Sequence, residues 1–491
     1  MTNHATADPG SGDSRREDGP VGLDRHTAEL RRDLSFINYP PENWLPARPG
    51  ELDVLVVGGG QMGLAASFAL NKAGIRNHAV IDAAPAGLEG PWVTYARMKT
   101  LRSPNHLVGP AQDIPALTFR AYHEALYGSA AWAGLGKIPR GMWQDYLVWF
   151  REALELPVEN GCALTAIAPT ETGVEVAVTR GGAAQRIRAR RLVLATGRDG
   201  LGGPAMPGWV PAGDARFQHT VEAIDFEALA GRDVAVIGAS ASAFDNAATA
   251  LEAGAGSVHM LMRRPKLATY NRFKTMVHAG FTFGMPALPP AERLALLNAA
   301  FEVAVAPPAD SVARIAHDRR FHFHPGTSVR GVDASGSRIV LDLGGERLTV
   351  DKVILGTGFK VDLGGRPELV ALDGHVVLMS DLDLPPEVVG QFARHPDVCD
   401  DFTFRPRLEG DAWVSRVHSF NIAAMASLGL ISGDIPGVGD GARRLAEGIA
   451  RNFFLEDYDA QMARITGYSE VEIQGDELDA RVAPGTPTVT A

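Results

Sequence analysis

Asp53-Val54-Leu55-Val56-Val57-Gly58-Gly59-Gly60-Gln61-Met62-Gly63-Leu64-Ala65-Ala66 is the stretch that decides the fold. The apolar run Val54 to Val57 suits a strand buried on both faces of a parallel sheet, and it enters a turn spaced G-x-G-x-x-G that opens a helix. Gly58 permits the tight turn, Gly60 lets backbone approach a pyrophosphate, and Gly63 lets helix and strand pack closely. The first helical turn, with Gln61 and Met62, then points free N–H groups at the anion. A second apolar strand ends in Val80-Ile81-Asp82, where Asp82 lies 24 residues after Gly58. A carboxylate there accepts hydrogen bonds from both ribose hydroxyls of a dinucleotide.

Working outward, 491 residues allow two or three domains, and 45% hydrophobic with 21% charged residues is ordinary globular composition. The formal net charge of -11 argues against nucleic-acid or anionic-membrane partners. Cys162 and Cys399 form no C-x-x-C, which excludes a disulfide scaffold, a thiolate-rich metal site and a dithiol redox centre; no metal is expected, and a reducing cytoplasm is. No apolar run approaches the ~20 residues of a membrane span. The polar residues 1 to about 30, within an N-terminal extension 1–50, are expected to be disordered, as is a tail over 476–491.

After Asp82 comes an irregular aromatic and basic run, from Gly90-Pro91-Trp92 through Lys99, Arg102 and Asn105 to His106, the kind of segment that carries binding residues. Residues from Pro115 to about Leu156 read as helical, with the aromatics of Met142 to Phe150 as core. From Cys162 to Gly197 alternation predicts a hairpin with a Gly181-Gly182 turn and then a buried strand ending Ala195-Thr196-Gly197. The same phrase returns at Gly336 to Leu343, Gly344-Gly345, Glu346 to Val350, and a strand ending Gly356-Thr357-Gly358-Phe359.

The repeat has a second head. Asp233 to Ile237, Gly238-Ala239-Ser240-Ala241-Ser242, and a helix repeat the strand, turn and helix, with Ser240 and Ser242 read at positions where the first turn has glycine. The next strand, Ser257 to Met262, ends in Arg263-Arg264, so a basic pair replaces the acidic ribose reader. Guanidinium groups there suit a 2′-phosphate by charge and by fork-shaped hydrogen bonding, which favours NADPH. The fold expected is α/β: two Rossmann-like dinucleotide-binding domains, each with a β-meander crossover. The expected division is an FAD domain over 51–203 and 326–475 with an NADPH domain inserted at 204–325. Two such sites imply hydride passing from NADPH to a held flavin.

On these residues the chain resembles the two-dinucleotide-binding-domain flavoproteins, and within them the class B flavin-dependent monooxygenases: flavin-containing monooxygenases, Baeyer–Villiger monooxygenases and amino-acid or amine N-hydroxylases. Gly90-Pro91-Trp92 resembles the family's Gly-Gly-x-Trp, and Gly356-Thr357-Gly358-Phe359 is similar to the Ala-Thr-Gly-Tyr of N-hydroxylases. Two departures stand out. Phe217-Gln218-His219-Thr220 has the His but not the spacing of the F-x-G-x-x-x-H linker of the first two subfamilies, and Arg102 stands near where several members place an Asn.

The resemblance implies a FAD- and NADPH-dependent monooxygenase that uses oxygen and a flavin hydroperoxide on a small organic substrate, with amine or heteroatom oxygenation ahead of Baeyer–Villiger chemistry. It places the segment from Thr100 to Pro104 beside the flavin, makes Arg102, Asn105 and Lys99 candidate catalytic donors, and sets His418 to Asn421 over the ring. Arg102 would be the donor to a nascent peroxide. His219, His322 and His324 are candidate proton carriers. A flavin reductase serving a partner protein is the alternative, a nucleotide-binding protein without turnover a third reading, and a homodimer stays open.

Overall fold

The structure is a computed structural model that describes residues 20–198, 200–474 and 481. The tail expected over 476–491 lies, apart from residue 481, outside the described residues, as do residues 1–19. Residues 23–30, expected to be disordered, are helical: α1 spans Leu23–Phe36 and buries His26, Leu30 and Leu34. Trp149 donates its indole N–H to Thr27 at 2.9 Å, and His26 stacks on the same indole at 5.5 Å. The polar majority of the segment hides an apolar stripe at helical spacing, and tertiary packing turns that stripe into a helix.

In the first sheet, β1 (Leu52–Val57) pairs in parallel with β2 (His78–Asp82) and with β6 (Ala183–Leu194). The order is β3 (Val158–Asn160), β2, β1, β6, β5 (Val174–Arg180), β4 (Cys162–Pro169). Strand β6 has three partners along its length: Ala183 to Ala189 close the antiparallel meander with β5, Ala189 to Leu194 lie beside β1, and Leu192 and Val193 also pair in parallel with Val417–His418. Helix α2 (Gln61–Lys72) covers β1, and Val54, Leu55 and Val56 are fully buried. The expected helical segment resolves into Phe119–Tyr127, Ser129–Ala133 and Arg140–Ala153, whose Trp143, Tyr146 and Phe150 are core.

The second sheet is all parallel, in the order Phe321–Pro325, Ser257–Met262, Asp233–Ile237, Lys352–Leu355, Phe217–His219. Its meander, Gly331–Asp333, Ile339–Asp342 and Arg347–Val350, forms a separate sheet. The inserted unit therefore does not end at 325. Lys352–Leu355 belongs to its sheet, and the natural boundary is the two-stranded ribbon in which Gly202–Pro204 pairs with Phe359–Val361, the way into the insertion lying against the way out. The residues between 326 and 355 read as a return to the first domain only because the repeat was matched element by element without its pairing partners.

Both strand ends that point at the site are fixed alike. Thr196 donates its hydroxyl to the Gly200 carbonyl and Thr357 to that of Ala205, each at 2.7 Å. At the opposite end of the first sheet, the fully buried Arg190 meets Asp457 at 2.9 Å and lies 4.1 Å from the centre of the Phe453 ring. That cluster anchors the helix Val438–Glu456, whose N-terminal end reaches back towards the site. Among the described residues no single helix is long and apolar enough to cross a membrane.

One buried group sets an acid limit. His78 lies between the Ser67 hydroxyl at 2.8 Å and the Ile75 carbonyl at 2.9 Å, and burial pushes its pKa down to about 4. The unfolded chain returns it to about 6.5, so the folded state holds fewer protons in between; the contribution is complete above 6.5 and is lost as pH falls towards 4. The shift corresponds to on the order of 3 kcal/mol. The thermal midpoint is expected to drop between pH 6.5 and 4, and His78→Gln to flatten that drop; equal slopes for both proteins would refute the assignment.

Candidate active site

The two strand–turn–helix units superpose in their local chemistry. Gly58 follows β1 with φ +108°, and its N–H donates to the Ile81 carbonyl at 2.8 Å; Gly238 has φ +107° and donates to the Leu261 carbonyl at 2.9 Å. Only glycine serves either position, since a Cβ would lie 2.5 Å from the Ala195 oxygen in the first and 2.4 Å from the Gly356 oxygen in the second. Gly60 and Ser240 are the N-caps of their helices, and neither supplies a side-chain cap bond. Those helix N-termini keep their first N–H groups for an outside acceptor.

The third positions differ from the sequence reading. Gly63 corresponds to Ala243, not to Ser242: a Cβ at Gly63 would sit 1.7 Å from the Gly58 oxygen, whereas Ala243 is fully buried and its methyl faces Gly356. So of the two serines only Ser240 stands at a motif glycine, and Ala243 stands at the third. Gly356 is the compensating residue, because a side chain there would meet the Ala243 Cβ at 2.7 Å.

Asp82 sits where the ribose reader should, with one carboxylate oxygen accepting from Gly59 N–H at 2.6 Å and the other from Ala84 N–H at 2.7 Å. Burial raises its pKa and these two N–H donors oppose the rise. A cavity of about 210 Å³ opens beside Gly59 and Gly60, walled by Gly87, Gln144, Leu147 and Arg151. Gln61 and Met62 contribute backbone only: both side chains are buried, and the Gln61 amide oxygen accepts from the Trp143 indole at 3.1 Å. Gly90, with φ +75°, passes 3.8 Å from where a Gly60 Cβ would be; Pro91 leads to Trp92, whose carbonyl is held by Arg140 and whose ring lies edge-on to Trp143. These features fit FAD: an open helix N-terminus, a cradle free of side chains and an acid at the ribose position.

In the second unit Arg263 and Arg264 are exposed after the strand Ser257–Met262. Arg264 is engaged with the Glu302 carbonyl at 2.7 Å, and among the described residues Arg263 has no hydrogen bond or ion pair. Ser242 is part-buried in the first turn of the helix, where its carbonyl accepts from Asn246. Gly358 has φ +79°, and its carbonyl accepts from Ala205 N–H at 2.9 Å; Phe359 packs edge-on to His219.

Of the three candidate catalytic donors, one reaches the cleft between the units. Lys99 is salt-bridged to Glu252 at 3.1 Å on the surface, and the Asn105 amide donates to the Leu135 carbonyl at 3.4 Å. Arg102 meets solvent, yet burial in the cleft lowers its pKa, opposed by Asp434 and Asp245 and reinforced by Arg198. Among the described residues it has no hydrogen-bond or ion-pair partner. Arg198, next to Gly197 (φ +66°), pairs with Asp434 at 3.1 Å. Ile422 N–H donates to the Gly197 carbonyl, and Asn421 ties Leu194 to Ala423. The cleft thus gathers the loop after β2, the end of β6 and the Asn421–Asp434 segment. Arg198 and Asp434 escaped the sequence reading, since nothing in the sequence joins two charges 236 positions apart.

The histidines lie elsewhere. His418 is buried with Nδ1 donating to the Asp401 carbonyl at 2.7 Å, and His219 is buried beside Phe359; burial lowers both pKa values. His322 and His324 stack on His259 across the outer strands of the second sheet.

The fold and its two nucleotide turns fit a flavoprotein, and the chain belongs to the family of FAD-dependent hydroxylases. It is 36% identical over 458 residues to the FAD-dependent urate hydroxylase of Xanthomonas campestris pv. campestris, covering 91% of this chain and 96% of that protein. The family described as pyridine nucleotide-disulphide oxidoreductase matches residues 55–280. Among solved structures, the ornithine hydroxylase of Pseudomonas aeruginosa has a TM-score of 0.63 at 19% identity, and the L-lysine 6-monooxygenase of Pseudomonas syringae 0.61 at 19%, each covering 82% of this chain and 99% of that chain. These two likenesses concern the fold. The two cysteines of this chain are free and unpaired.

Proposed function

We propose that the protein hydroxylates a planar heteroaromatic anion of the urate class, using NADPH and oxygen. One oxygen atom enters the substrate, and the other leaves as water with the hydride of NADPH and a proton. The observation that carries this reading is Arg102, a guanidinium in the cleft that has no hydrogen-bond or ion-pair partner among the described residues, with the Arg198 charge acting on it. An unpaired, partly desolvated cation seats an anion and repels an ammonium. Urate is an anion at neutral pH, and the 36% identical relative is named for it. Amine oxygenation, ranked first on the Gly356 to Phe359 strand end alone, falls to second, because its substrates bring positive charge to two arginines.

Bound FAD would supply the redox chemistry and the activation of oxygen. In this reading the turn at Gly58, Gly60 and Gly63 with the N–H groups of Gln61 and Met62 holds the FAD pyrophosphate. Asp82 holds its ribose, and Gly90, Pro91, Trp92, Thr196 and Gly197 line its path to the cleft. Gly238, Ser240, Ser242 and Ala243 form the NADPH turn, Gly358 and Phe359 stand at the crossover, and Arg263 with Arg264 reads the 2′-phosphate. Arg263 carries most of that preference, since Arg264 is already engaged with Glu302.

The test is oxygen uptake and NADPH oxidation by the FAD-loaded protein, with and without urate. Urate is expected to stimulate both in equal amounts, and Arg263→Ala to raise the KM for NADPH by about one to two orders of magnitude while leaving that for NADH in place. NADPH oxidation that urate does not stimulate, and that needs a partner protein as electron acceptor, would replace this reading with the reductase.

A further inference from the structure

The helix Tyr458–Thr466 buries none of its residues. A helix of nine residues is too short to hold itself together in water, and this one is not stabilised by a packed face. Its side chains are nevertheless apolar on one side. Tyr458, Met462 and Ile465 are spaced 4 and 3, the seam spacing of paired helices, and are 54%, 41% and 68% exposed, and Leu455 at the end of the preceding helix is 66% exposed. Phe454 and Tyr468 flank them in sequence, and Val471 and Ile473 follow in the chain at 67% and 70% exposure. The helix is presented rigidly: Asp457, at the bend before it, is held by Arg48 at 3.0 Å and Arg190 at 2.9 Å.

We infer that this C-terminal helix is the interface with a second copy of the chain, packed antiparallel across a two-fold axis between Gln461 and Met462. Charge and area both point to that occupant. With the axis there, Tyr458 faces Ile465 of the second copy and Asp459 faces Arg464 of the second copy, each pair occurring twice. Eight side chains at roughly 100 Å² of exposed apolar surface each give about 800 Å² per copy, the share of a standard interface. A membrane surface fits worse, because Glu456, Asp459, Glu470 and Glu472 surround the stripe where a membrane-seeking helix carries Lys and Arg. The chain's own residues 475–491 fit worse as well, with three Leu or Val among seventeen residues dominated by Pro, Thr, Gly and acids.

The test is sedimentation equilibrium of the full-length, FAD-loaded protein at micromolar concentration, with the flavin spectrum and circular dichroism confirming that each variant is folded. Wild type is expected to be a dimer, and Ile465→Asp to weaken it by at least about tenfold. Asp459→Arg and Arg464→Asp should each weaken it about threefold to thirtyfold by facing like charges, and the double exchange should restore it. A monomeric wild type, including one that pellets with anionic vesicles, would overturn the proposal. So would a dimer indifferent to Ile465→Asp, or a double exchange that stays as weak as the singles.

Discussion

Gly60→Val is expected to yield a folded protein that cannot retain FAD, and Gly63→Val to yield little folded protein at all. The two glycines belong to one motif but are required for different reasons. At Gly63 a Cβ would stand 1.7 Å from the Gly58 oxygen, a backbone atom that cannot retreat without undoing the turn. At Gly60 the backbone is φ -74°, ψ -169°, open to any residue, and the nearest atom to a Cβ is Gly90 Cα at 3.8 Å, an ordinary contact. The protein therefore has room for a side chain at Gly60, and that room faces the N–H groups of the helix N-terminus. For the fold, Val as N-cap in place of Gly costs about 1 kcal/mol; for the cofactor it fills the place of the pyrophosphate. Flavin absorbance of the purified proteins, set against their circular dichroism, checks both halves. A yellow Gly60→Val protein would remove FAD from the first turn.

What the sequence showed of the site follows the same division between local and distant requirements. Gly58, Gly60, Gly63, Asp82 and Gly238 are legible because each answers to its own few neighbours along the chain, and strand, turn and helix are written in consecutive residues. The third position of the second turn was misread as Ser242 because Ala243 looks like filler until Gly356 is placed against it, and that contact spans the sheet. The end of the inserted unit was misplaced for a related reason: whether Lys352–Leu355 belongs to the first or the second sheet is decided by its partners, Asp233–Ile237 and Phe217–His219, not by its own alternation. The loop from Gly90 to His106 was recognisable as a binding segment, but which of its donors faces the cleft depended on Glu252 and Leu135 engaging Lys99 and Asn105.

That sorting of donors gives the second large effect. Arg102→Met is expected to lower kcat/KM for urate by about 10- to 150-fold, corresponding to the ~1.5–3 kcal/mol of a hydrogen bond to a charged group. Lys99→Ala and Asn105→Ala are expected to change it less than about threefold, because an exposed ion pair contributes at most ~1 kcal/mol. Arg198→Met should fall between these limits, since Arg198 shares its charge with Asp434 at 3.1 Å, whereas Arg102 has only the more distant influence of Asp434 and Asp245. The loss at Arg102 should lie mainly in KM if the guanidinium seats the substrate, with NADPH-driven flavin reduction in the absence of urate unchanged. If instead Arg102 donates to the oxygen species formed during turnover, as the sequence first suggested, KM holds and NADPH oxidation uncouples into hydrogen peroxide. Should Arg102→Met lose FAD or NADPH affinity while leaving urate KM intact, the guanidinium is a phosphate contact, and the anionic-substrate reading loses the observation it rests on.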